Sequence, residues 1–69
     1  MNAKRISDLY DEVATAHSIH RAEAIDEVWD AIEILWARED RPEATITAYQ
    51  RQAILEYIAE QYRTNRTRL

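Results

Sequence analysis

The side chains best spaced to act on another molecule in this sequence are carboxylates. Glu23, Asp26, Glu27, Asp30 and Glu33 recur three or four residues apart, so on a helix they line one face with no basic residue among them. Each like-charge neighbour costs an isolated helix roughly 0.2–0.5 kcal/mol. Such a face suits electrostatic capture of a partner with a basic surface, which gives fast, salt-dependent association. Ile34 falls near the angular position of Glu27, outside the apolar stripe, and reads as a contact point within the acidic patch. Carboxylates on an open face stay hydrated, which suits neither general acid nor general base work.

Two other groups have a chemistry of their own. His17 and His20 stand at i,i+3, and a metal site there would have to recruit Glu23 or a second subunit to fill its shell. Ala14 stands where the Glu-x-x-His order of di-iron bundles needs a carboxylate, so no metal and no cofactor is expected. Arg63, Arg66 and Arg68 follow one another without an acid. They could make a weak, salt-sensitive contact to phosphate, with no aromatic platform beside them. Cysteine and glycine are both absent, which removes a thiol nucleophile and a glycine-rich phosphate loop. No Ser-His-Asp arrangement is supported by the spacing. The chain is not expected to be an enzyme.

The elements that must position these groups are helices. The chain has 69 residues, no glycine and a single proline, Pro42, so tight hairpins have few residues that accept positive φ cheaply. Alanine, Glu, Arg, Gln and Leu are abundant and favour helix directly. The expectation is one all-α domain, a small three-helix bundle or kinked helical hairpin, with helices near 6–17, 19–39 and 47–63. Residues 1–5 are expected to fray and residues 64–69 to form a flexible basic tail. Ser18 is the candidate cap of the second helix. The apolar stripes on either side of it are rotated by roughly 80°, more than a supercoiled continuous helix would drift. Pro42 should end the second helix. Thr47 and Gln50 have the spacing of a capping box that opens the third.

The strongest stripe runs through Ile25, Trp29, Ile32 and Trp36, widened by Val28 and Leu35. The third helix offers Ile54, Leu55, Ile58 and Tyr62, with Tyr57 on one flank, and the first offers Ile6, Leu9, Tyr10, Val13 and His17. These residues should build a core or a dimer seam. A chain of about 60 residues buries only about 60% of its unfolded surface, so a second copy or a partner is the expected supplement, and a homodimer is expected. Arg51 falls on the apolar face of the third helix. Its guanidinium is expected to snorkel out, the alternative being a partly buried pair with an acid of the second helix.

Thr47-Ala48-Tyr49-Gln50, followed by Ile54-Leu55 and Ile58, resembles the first helix of winged-helix repressors of the SOS type. The likeness covers residues 47–58, and nothing after it corresponds to that family's recognition helix and wing. No function is carried over from it.

Charge is distributed unevenly. The formal total is −4, yet residues 7–40 carry ten acids against Arg21 and Arg38. No apolar run reaches membrane-spanning length and the start lacks a signal-peptide core, so a cytoplasmic setting in a bacterial cell or phage-infected host is expected. The leading expectation is a small regulatory protein whose acidic face binds a basic protein partner. In its sharpest form this is a phage or mobile-element inhibitor of nucleic-acid-binding machinery. The alternatives are a dimeric DNA- or RNA-associated regulator using Arg63, Arg66 and Arg68, and a structural assembly protein.

Overall fold

A computed structural model describes the backbone of residues 4–38 and 45–67 and the side chains of 5–38 and 45–64. Three helices follow in order, α1 (Ile6–His17), α2 (Arg21–Trp36) and α3 (Ala48–Thr67). Two strands of two residues each, β1 (Lys4–Arg5) and β2 (Thr45–Ile46), pair antiparallel with Lys4 opposite Ile46 and Arg5 opposite Thr45. The all-α bundle expected from the sequence is therefore present. Its start differs: Lys4 and Arg5, expected to fray, are tied to the segment that leads into α3.

α1 has the expected span. What ends it is not what the sequence suggested. Ser18 does not cap α2; it closes α1 in the left-handed conformation (φ 55, ψ 48), with its N–H bonded to the Ala14 carbonyl. Ile19 donates to the same carbonyl at 3.0 Å, the 6→1 bond of a Schellman closure. α2 then opens at His20 without a side-chain cap. It closes at Ala37, also left-handed (φ 53, ψ 38), whose N–H reaches the Glu33 carbonyl at 2.7 Å. α2 thus starts two residues later and stops three earlier than expected, ahead of any effect of Pro42. Pro42 and the rest of residues 39–44 lie outside the described residues.

The capping box before α3 is formed in both directions. Gln50 N–H donates to Thr47 Oγ1 at 3.0 Å, and Thr47 N–H donates to Gln50 Oε1 at 2.9 Å. α3 then continues to Thr67, past the expected end at 63, because Thr64, Asn65 and Arg66 include neither a proline nor a glycine to stop it. The basic tail expected at 64–69 is thus helical backbone as far as residue 67, and residues 68 and 69 lie outside the described residues.

α2 packs on both other helices. The core joins Ile6, Leu9 and Val13 of α1, Ala24, Val28, Trp29, Ala31 and Ile32 of α2, Ile46 of β2, and Ile54 and Ile58 of α3. Tyr10, Ile25, Leu55, Tyr57 and Tyr62 border it. Leu35 and Trp36 depart from the expected core: they remain 39% and 37% exposed. The buried stripe is centred nearer Ala24, Val28 and Ala31, each fully buried, than the aromatic spacing implied. Trp36 lies at the last turn, beside a small cavity of about 30 Å³ that it shares with Ile6, Ile46 and Ile54. No described helix is long and apolar enough to cross a membrane.

Both left-handed closures are made without glycine. The αL region costs a residue with a Cβ about 1–2 kcal/mol, whereas glycine adds about 0.4–1 kcal/mol of unfolded-chain entropy. Ser18→Gly and Ala37→Gly should each raise the unfolding free energy by about 0.5–1 kcal/mol in urea titrations. A lower midpoint for both would contradict the assigned closures.

Candidate functional site

α2 and α3 run in opposite directions. Tyr62 meets Glu27 near the start of α2, while Gln50 and Ile54 sit beside Trp36 at its end. Between them lies a groove of about 340 Å³ lined by Glu27, Asp30, Glu33 and Ile34 from α2 and by Tyr57, Ile58, Gln61 and Tyr62 from α3. Four of the six residues expected to bind a partner therefore share one wall. Glu23 and Asp26 are exposed on α2 outside it.

The two ends of the groove differ. At one end stand Ile34, which is 62% exposed, with its neighbour Glu33 and Tyr57, and the buried Ile58. Glu27 and Tyr62 stand at the other. Glu27 is not the outward-looking carboxylate that the sequence suggested. It is half-buried, its Oε2 accepts a 2.6 Å bond from the Tyr62 hydroxyl, and its Oε1 is enclosed with no donor among the described residues. The missing information was tertiary: helical periodicity places Glu27 on α2 but cannot supply the phenol on α3 that draws it inward.

Tyr62 joins α3 to both other helices. Its ring stacks on His17 with centroids 4.2 Å apart and planes 6° from parallel. Burial raises its pKa from 10.0 to about 12, helped by the hydrogen bond to Glu27 and by the negative charges of Glu27 and Glu23. His17 is thus engaged in packing, while His20 is exposed at the start of α2. Among the described residues no three His, Asp or Glu side chains converge as a metal shell needs.

The arginines decide whether the carboxylates are neutralised from within. Arg51 does not snorkel. It forms a two-point pair with Glu12 of α1, Nε to Oε1 at 3.0 Å and Nη2 to Oε2 at 2.6 Å. That acid belongs to the first helix, not the second. Arg21 bonds Asp11 at 2.8 Å and lies 5.4 Å over the Tyr10 ring. Arg63 contacts Glu60 on its own helix. Among the described residues Asp26, Asp30 and Glu33 form no ion pair. The side chains of Arg66 and Arg68, the remaining candidates for phosphate contact, lie outside the described residues.

Trp29, expected in the core or a dimer seam, is in the core at 4% exposure, and its indole N–H donates to the Tyr10 hydroxyl at 2.6 Å. Comparison with protein-family models, curated proteins and solved structures finds no match in any of the three.

Because the folded pKa of Tyr62 is raised, its hydroxyl's contribution to stability is whole below pH 10 and is lost as pH rises through 12. One phenol should therefore titrate near pH 12 in ultraviolet absorbance, and Tyr62→Phe should remove that step. Retention of the step in the variant would show that the shifted phenol is another tyrosine.

Proposed function

We propose that this chain is a small non-catalytic binding protein that holds a basic surface of another protein against α2. What supports this most is the use of the described arginines. Arg21, Arg51 and Arg63 reach acids other than those of the α2 face, and among the described residues Asp26, Asp30 and Glu33 form no ion pair, the last two lining a groove with an exposed isoleucine. Carboxylates three and four residues apart raise the energy of the free helix, and a cationic partner would relieve that cost. A polar rim around an apolar contact is also how protein interfaces are commonly built. In its sharper form the reading makes the protein an inhibitor, of the kind carried by phages and mobile elements, whose carboxylates occupy the place of phosphate on nucleic-acid-binding machinery. Leu35 and Trp36 still have surface to offer a second copy, so a homodimer belongs to the same proposal.

Asp30→Lys with Glu33→Lys changes two exposed positions outside the buried core, so the fold should survive. Partner capture from extract at low salt should fall at least tenfold with this variant, and the wild-type interaction should weaken steeply as salt shortens the screening length below about 10 Å. Replacing Arg66 and Arg68 by glutamine should leave capture unchanged. The opposite pattern, with binding lost on the arginine changes and kept on the charge reversal, would favour the nucleic-acid-associated regulator instead.

A further inference from the structure

The chain carries cations that match its acidic face, on a helix end turned away from that face. After Glu60 come Arg63, Arg66 and Arg68, with no further acid. α3 is helical backbone as far as Thr67, so position 66 stands about one turn beyond Arg63. Tyr62 is the last described side chain of α3 that is partly buried, and Arg63 and Thr64 are exposed. The end of the helix thus leaves the core. At about 100° per residue, positions 63 and 66 lie roughly 200° and 140° round α3 from Gln61, which lines the groove beside α2. Arg63 accordingly borders the hollow between α1 and α3, with His17, Ala59 and Tyr62. Among the described residues no ion pair reaches Asp26, Asp30 or Glu33.

We propose that a second copy of this chain supplies the cations: in a two-fold dimer, the basic end of α3 of each protomer lies across Asp26, Asp30 and Glu33 of the other. Tyr62 and Glu27 are joined by a hydrogen bond, which sets the level of α3 against α2. From that level position 66 is four residues along α3 and Asp30 is three residues along α2. The two helices run in opposite directions, so these steps add to about 10 Å along the bundle. A second copy turned end for end sets each basic end opposite the other's acids, and both contacts form at once, as an isologous interface requires. Ile34, beside Glu33 and 62% exposed, offers surface to the methylene stems of the incoming arginines. Exposed ion pairs are individually weak and are screened by salt, so the dimer belongs to concentrated protein at low ionic strength. The inference rests on the homodimer of the preceding reading and seats it on charge rather than on Leu35 and Trp36. A basic partner then competes with the second copy for the same acids, and at the dilution of a capture experiment the dimer has come apart.

The test is sedimentation equilibrium of the full chain at high micromolar concentration. Wild type should dimerise at low salt and dissociate in about 1 M salt, where the screening length is about 3 Å. Arg63→Glu with Arg66→Glu, and separately Asp30→Lys with Glu33→Lys, should each weaken self-association at least about tenfold. Far-ultraviolet dichroism checks that both variants fold. Mixed in equal amounts, the two variants should dimerise again, because each now carries the charges that the other lacks. A mixture that stays monomeric overturns the interface. So does a dimer that survives both reversals, and its loss on Trp36→Asp would assign the homodimer to the end of α2 and leave that reading standing. Wild-type protein that is monomeric at every salt concentration overturns homodimer and interface together, without touching the basic partner.

Discussion

α2 has to bury apolar surface on two sides at once, toward α1 and toward α3, and this divides its circumference into three. Val28, Trp29 and Ile32, with Ala24 and Ala31 between them, fill the space where the three helices meet. Glu27, Asp30, Glu33 and Ile34 line the groove beside α3, and Glu23 and Asp26 are left on the outside. α1 and α3 touch each other far less than either touches α2. The geometry of the groove is therefore a by-product of how α2 is held, since the residues that fix its rotation also decide which carboxylates reach the edge.

The core alone is small, and each helix joint carries a polar bond at its margin. Trp29 bonds Tyr10 between α2 and α1, Tyr62 bonds Glu27 and stacks on His17, and Arg51 grips Glu12 between α3 and α1. A single neutral hydrogen bond contributes a net ~0.5–1.5 kcal/mol because it replaces bonds to water, and solvent screening keeps the contribution of the partly exposed Arg51–Glu12 pair modest. Their more distinctive effect is directional. Apolar contacts between Leu, Ile and Val tolerate rotation and sliding, whereas a phenol, an indole and a guanidinium fork accept few arrangements. In a chain this short, such bonds set the helix register that packing area leaves loose.

The features legible in the sequence are those governed by neighbours in the chain. α1 could be bounded from its stripe, the Thr47–Gln50 box from its spacing, and the enclosure of Trp29 from its position among apolar residues. Ser18 was misread because a serine between two stripes is an ordinary N-cap, and without glycine in the chain the left-handed closure had no visible marker. Ala24 and Ala31 do not register in an apolar stripe, yet both are fully buried in the core. Ile46 belongs to none of the helical stripes, and it is buried where its segment pairs with Lys4–Arg5. Glu27 and Arg51 depended on partners 35 and 39 residues away, a distance at which helical periodicity carries no information.

The unmatched acids have a physical consequence that follows from where the arginines went. A chain with nine basic residues and thirteen acidic ones could in principle neutralise α2 by turning α3's arginines toward it. Arg51 reaches Glu12 of α1 instead and Arg63 meets Glu60, so among the described residues no arginine pairs with the acids of the groove wall. Tyr62 lies at the groove's edge, and its pKa is raised chiefly by burial, then by the hydrogen bond to Glu27 and the charges of Glu27 and Glu23. Negative potential concentrated over a low-dielectric floor is attenuated less by solvent than the same charges on an open helix. The groove, more than the count of carboxylates, is what would turn a solvated acidic face into one that discriminates among cations.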